Sequence, residues 1–234
     1  MENVGVDGAK AGWIAVWRVG TGLTHRVYPD AQALFDAHGD AGVIAVDIPI
    51  GLPTRERRVA DAEARRFVGG RRASSIFSSP VRGVLHAASQ AEASRLHRAI
   101  DDRGFGAQSF AILPKIREWD ALLQSDPQAR ARVREIHPEV AFAALAGGPG
   151  HGLAAGKKSA DGHAQRIALL APLFGQDAVL ALLRAVPRGQ AAPDDVLDAA
   201  VALWVAERIA AGRANTLPAP SECDPTGLSM AIWY

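Results

Sequence analysis

The sequence predicts an α/β fold: a mixed five-stranded sheet, an antiparallel meander extended by parallel strands, flanked by helices. Three observations predict it. Three short β-prone runs near the N-terminus are separated by Gly-containing turns. A helical pattern then precedes the apolar run Val43-Ile44-Ala45-Val46, which ends in Asp47 and a Pro/Gly-punctuated turn. Beyond residue 54 the strand signals give way to helix formers as far as about residue 126. Short runs with tight turns make a meander. A continuous apolar run bounded by turn signals reads as a buried central strand. A helix between two strands of one sheet favours a parallel crossover.

Val4-Gly5-Val6-Asp7 is the first strand, and 8–12 supplies a turn. Trp13–Val19 is the second strand, turned back by Gly20-Thr21-Gly22, and Thr24–Tyr28 is a weaker third. Asp30 is the N-cap candidate of a short helix to Ala37. The fourth strand is expected over 43–53. Two or three helices are expected over 54–126, with loops at Gly69-Gly70, Ser78-Ser79-Pro80 and Gly104-Phe105-Gly106. Ile116, Trp119, Leu122 and Leu123 share one helix face there. With no flexible linkers around it, the segment reads as a helical insertion into a single domain spanning 1–234.

Arg132–His137 is the fifth strand candidate. Pro138 suits the first turn of a helix that stops at Gly147-Gly148. Two apolar helices follow at about 160–173 and 176–186, then a long amphipathic helix from Asp194 to Ala211 with Gly212 as its stop. Asp224–Gly227 is a turn, and Leu228–Tyr234 adds a strand or packs on the core.

The 234 residues are 48% hydrophobic, enough for a sizeable core, and the net charge of +1 excludes a globally basic nucleic-acid binder. Any such contact must come from a local patch. A single cysteine, Cys223, excludes a disulfide framework and a cysteine metal site, and fits a reducing cytoplasm. No signal peptide and no run of about 18 apolar residues is visible, so neither secretion nor a membrane span is expected.

The candidate chemistry lies in carboxylates. Asp7 and Asp47 end strands, a position where α/β sheets keep ligands. Each alone is an ordinary turn acid. Asp194 and Asp195 suit a helix first turn. Asp198 fits that reading poorly, because like charges at i, i+3 and i, i+4 repel. A divalent cation would remove the penalty, and Mg²⁺ or Mn²⁺ wants such hard oxygen ligands. Two ions bridged by four carboxylates can hold a phosphodiester and activate water. Glu135, His137 and Glu139 surround Pro138; helix capping accounts for Glu139 and His137, and an auxiliary role near the strand end stays open.

Basic residues cluster in the insertion: seven Arg (55, 57, 58, 65, 66, 71, 72) against three acids over 55–72, followed by Ser74, Ser75, Ser78 and Ser79. Arg and Ser are common phosphate-contacting types, although a solvated helix face explains the same pattern. Arg71, Arg72, Ser75, Ser78, Lys115, Lys157 and Lys158 are the substrate-binding candidates. Gly156-Lys157-Lys158-Ser159 is not a P-loop, since His151 stands where the first Gly is required.

The motifs Val-Gly-Val-Asp-Gly, Val-Asp-Ile-Pro-Ile-Gly-Leu-Pro, Ser-Ser-Ile-Phe-Ser-Ser-Pro, Lys-Ile-Arg-Glu-Trp-Asp, Glu-Ile-His-Pro-Glu and Asp-Asp-Val-Leu-Asp-Ala span nearly the whole chain. Together they resemble the predicted RNase H-like nuclease family catalogued as domain of unknown function 429. The late Asp-x-x-Asp-Ala is also similar to the helix motif of RuvC-type resolvases. The resemblance implies an RNase H-like fold and a Mg²⁺- or Mn²⁺-dependent nuclease acting on DNA or RNA. It assigns Asp7, Asp47, Asp195 and Asp198 as catalytic metal ligands, with Asp194 as a substitute and Glu139 or Glu135 as an extra ligand. The second strand-end acid is Asp where RuvC has Glu, so its reach is shorter. A homodimer is compatible with the sequence. Two alternatives are a non-catalytic nucleic-acid-binding module, which would bind without turnover, and an actin-like nucleotide-binding or phosphotransferase protein, which would bind ATP.

Overall fold

The computed structural model describes residues 1–234, apart from the Arg71 side chain. Its centre is a five-stranded mixed sheet in the order β3-β2-β1-β4-β5, flanked by helices and consistent with an RNase H-like fold. The strands are β1 (Asn3–Ala9), β2 (Gly12–Val19), β3 (Gly22–Tyr28), β4 (Val43–Val46) and β5 (Val133–Glu135). β1, β2 and β3 form the antiparallel meander, and β4 and β5 add in parallel to β1.

The helices are α1 (Ala31–Ala37), α2 (Val59–Val68), α3 (Gln90–Asp101), α4 (Ala107–Ala111), α5 (Leu113–Ser125), α6 (Pro127–Arg132), α7 (Pro138–Ala146), α8 (Ala160–Phe174), α9 (Gln176–Ala185) and α10 (Pro193–Ala210). Short 3₁₀ turns cover Gly70–Ser75 and Arg82–Val84. Asp30 caps α1 by accepting from the Ala33 N–H at 2.8 Å, as its position predicts.

Alternation along the strands sorts the core into two faces. Val4, Val6, Ile44 and Val46 pack with Trp119 and Ile116 of α5, the face expected for that helix. Ile14, Val16 and Ala45 face the other way, against α10 and its neighbours α7, α8 and α9. Helix α10 lies unusually close to β1: a Cβ at Gly5 would stand 2.0 Å from the Leu203 nitrogen and 2.2 Å from the Ala199 oxygen. Only glycine permits that approach.

Two expectations are corrected, and two elements are unexpected, α6 and the strand that pairs with the expected C-terminal one. The fourth strand stops at Val46, not residue 53, because Gly51 takes a positive φ of 71° under Leu228 and Met230 and turns the chain away. The segment over 54–126 holds more helices than two or three, since Gly and Pro punctuation breaks it into short pieces. Pro127 opens a separate turn, α6, with Asp126 as its cap. The C-terminal run adds a strand as expected, β7 (Ser229–Trp233), and pairs in a hairpin with β6 (Thr216–Cys223), which Pro218 and Pro220 disguise. An isolated parallel bridge from Ile136 to Trp233 joins the hairpin to the end of β5. No single helix among the described residues is long and apolar enough to cross a membrane.

Candidate active site

The register explains which acids meet. Gly5 pairs with Ala45 and Val6 with Val46, so Asp7 and Asp47 follow side by side at the ends of neighbouring parallel strands. Both share the parity of Gly5 and Ala45, which is the face covered by α10. The close approach at Gly5 brings the first turns of α10 over them. Asp198, 1% exposed, completes a cluster with Asp7 and Asp47 on the wall of a cavity of about 520 Å³. Glu135 pairs with Val46 and therefore projects with the opposite parity.

The cluster is electrostatically frustrated. Burial raises the Asp7 carboxyl well above its ordinary range, and Asp47 and Asp198 push it further. Burial and then Asp198 push Asp47 up to about 8, while Lys157 pulls the other way. Asp198 is pushed up to about 6 by burial, with Lys157 opposing. The Lys157 Nζ donates to Asp198 Oδ2 at 2.9 Å and stands 3.7 Å from Asp194 Oδ2. Burial would lower this ammonium, but Asp198 and Asp7 raise it above its usual value. Asp198 Oδ1 is buried with no hydrogen-bond partner, as is Glu139 Oε2.

Beside the cluster lies a second, balanced set of charges. Arg58, 2% exposed, donates to both oxygens of Glu135 at 2.6 and 2.7 Å and to Asp61 Oδ1 at 2.7 Å. Its remaining contacts are the carbonyls of Ile50 and Gly51. The Ile50 N–H donates to Glu135, and the Ser79 N–H to Asp61, at 2.7 Å each. Arg58 therefore corrects the reading of the Arg-rich run as one phosphate-contacting face: it is an internal tie, not a free cation. Its only signal in the sequence is Asp61 three residues on, which any surface ion pair shares.

The other candidates divide. Asp195 is partly exposed and accepts from the Ala192 N–H at 2.9 Å, so its carboxylate caps α10 while still raising Asp7 electrostatically. His137 caps α7, its Nδ1 accepting from the Glu139 N–H at 3.2 Å; burial and the nearby Lys157 lower its pKa to about 4. Glu139 accepts from the fully buried Arg166 at 2.6 Å. Lys115 lines the cavity, 4.1 Å over the Trp13 ring, and donates to the Gly12 carbonyl. Arg72 and Ser75 also line it, but the Arg72 guanidinium is largely held by the carbonyls of Leu153 and Ala155. Ser78 accepts from Arg65 and lies outside the cavity wall, Lys158 is exposed, and the Arg71 side chain lies outside the described residues.

No group of three or more His, Cys, Asp or Glu side chains among the described residues stands in a geometry that would hold a metal ion. The donor set nonetheless suits a hard cation. Carboxylates line one cavity wall, the buried Asp198 Oδ1 has no partner, and the other Asp198 oxygen is held by the Lys157 ammonium.

No curated protein and no solved structure matches the chain. The family described as Protein of unknown function (DUF429) matches over residues 5–223, nearly the whole length, and this chain therefore belongs to the DUF429 family.

Proposed function

We propose that the protein is a divalent-metal-dependent nuclease that hydrolyses phosphodiester bonds of DNA or RNA on an RNase H-like fold. The observation that carries this reading is that Asp7, Asp47 and Asp198 line one cavity, where Asp47 and Asp198 both raise Asp7 and Asp198 raises Asp47. A fold gains nothing from such a cluster, whereas a hard cation and a phosphodiester do. Asp7, Asp47 and Asp198 would hold Mg²⁺ or Mn²⁺, with Glu139 and Asp195 at the margin. The bound ion would supply charge neutralisation and a lowered pKa for water.

The chain's own groups do the rest. Lys115 and Lys157 offer ammonium groups to the phosphate from the cavity wall. Without a cation, Asp47 holds a proton at neutral pH, so cation binding releases one. His137, neutral at pH 7, fixes the start of α7 and with it the position of Glu139.

The test is cleavage of single-stranded, duplex, hybrid and branched oligonucleotides with Mg²⁺, Mn²⁺ or EDTA. Cleavage that needs the ion and disappears in Asp7→Asn and Asp198→Asn is expected; unchanged cleavage in either variant rejects the assignment. Lys157 favours a second reading. Its ion pair with Asp198 gives the cluster a built-in counter-charge, as a non-catalytic binding module would need. That reading predicts salt-sensitive binding with no turnover in any metal.

A further inference from the structure

Phe77 stands apart from the rest of the cavity wall. It is 56% exposed, the one aromatic among the large hydrophobic side chains left exposed in the described residues. It lines the same cavity as Asp7, Asp47 and Asp198. Its neighbours Ile76 and Ser79 are buried at 3% and 5%.

The backbone on both sides of Phe77 is clamped to α2. Arg65 donates to the Ile76 carbonyl and to Ser78 Oγ, each at 2.9 Å. Asp61 accepts from the Ser79 N–H at 2.7 Å and from its hydroxyl at 3.2 Å. Asp61 is itself fixed by Arg58. A loose loop would let the ring fold back onto apolar surface, at a gain of about 25 cal/mol per Å² buried. Here the fold spends three side chains on holding the loop and leaves the ring in solvent.

The shape of the cavity limits what such a ring can meet. Its volume of about 520 Å³ lies in the small-ligand range. Asp7 and Asp198 on its wall are buried, so a phosphodiester must enter to reach them. A cavity of that volume matches an unpaired nucleotide, whereas a paired duplex exceeds it. Lys115 and Lys157 then face the phosphate, and an aromatic ring at the rim offers its face to a base.

We propose that Phe77 is a base-stacking platform that makes this cleft selective for an unpaired nucleotide of single-stranded nucleic acid. The proposal rests on the nucleic-acid reading given above and adds the substrate class and the residue that selects it.

The experiment is fluorescence anisotropy with the full-length protein in EDTA, so that binding is read without cleavage. The probes are labelled oligo-dT, oligo-U and a blunt DNA duplex; the variants are Phe77→Ala and Phe77→Tyr. The wild type is expected to bind one or both single strands more tightly than the duplex. Phe77→Ala should weaken single-strand binding roughly tenfold, and Phe77→Tyr should restore it, as expected for stacking. Melting temperatures within a few degrees of one another are expected for the three proteins, because more than half of the ring is exposed. Single-strand affinity unchanged in Phe77→Ala, or duplex bound as tightly as single strand, overturns the proposal and leaves the nuclease reading standing. A wild type that binds none of the probes overturns the stacking proposal, and the nuclease reading falls only if cleavage with Mg²⁺ or Mn²⁺ also fails.

Discussion

Two sets of buried carboxylates share one cavity and answer the cost of burial in opposite ways. Glu135 and Asp61 are matched almost oxygen for oxygen: Arg58 bridges them, and the N–H groups of Ile50 and Ser79 fill the remaining positions. Among the described residues, Asp7 accepts only from the Gly8 N–H, Asp198 only from the partly exposed Lys157 ammonium, and Asp198 Oδ1 has no partner. Burial still raises Glu135, but Arg58 draws it back. Around Asp7 and Asp47 most neighbours push in the same direction as burial. Buried charge that the fold needs is closed off by the fold; charge left open is kept for something that arrives from outside.

The strongest way to break the comparison is Arg58→Ala. It strands two buried carboxylates and should lower folding stability by about 3–5 kcal/mol, read from denaturant midpoints. Stability within 1 kcal/mol of wild type would show that the set is not closed. Asp47→Asn should do the reverse. It removes a charge the cation-free fold resists, and should raise stability at pH 8 on the order of 2 kcal/mol. A destabilised variant would mean that Asp47 is already compensated.

The pH dependence separates the sets further. An unfolded Asp47 loses its proton near pH 4, and the folded one keeps it to about 8. The folded state binds more protons between those values, so stability falls as pH rises through that window. Saturating Mg²⁺ should recover it, with a larger increase in melting temperature at pH 8 than at pH 5.5. His137 acts from the acid side. Its folded pKa of about 4 lies below the usual 6.5, so its contribution is complete above 6.5 and is lost as pH falls towards 4. His137→Asn keeps a capping side chain and should flatten the acid limb alone. The smallest effect concerns Lys157. With its ammonium gone in Lys157→Met, Mg²⁺ no longer competes with it, and calorimetry should show affinity up by several-fold, within about 1.4 kcal/mol. Weaker binding would make the lysine a helper of the ion instead of its rival.

Much of this contrast was legible in the sequence, and the rest was hidden for identifiable reasons. Period-two alternation and the apolar run into Asp47 gave the sheet, because burial on one or both faces writes itself directly into composition. Asp198 stood out because repulsion from Asp194 and Asp195 has no local explanation. Asp195 did not separate from it, since a carboxylate at the start of a helix can cap or ligate with the same spacing. Arg58 was indistinguishable from Arg55 and Arg57, because its partner Glu135 is 77 residues away. The clamp around Phe77 joins residues up to 18 apart and leaves no periodic trace. Strand β6 was masked by the two prolines that its edge position tolerates.

The contact at Gly5 carries a consequence for how such a site can change over generations. The spacing between a strand-end acid and a helix-borne acid is set by a missing methyl group two residues before Asp7. Any side chain at position 5 would act as a shim, lifting α10 and carrying Asp198 away from Asp7. Positions on the cavity wall can be exchanged one at a time, trading one substrate preference for another. Position 5 allows no intermediate step, so the most constrained residue of this centre is one that never meets the substrate.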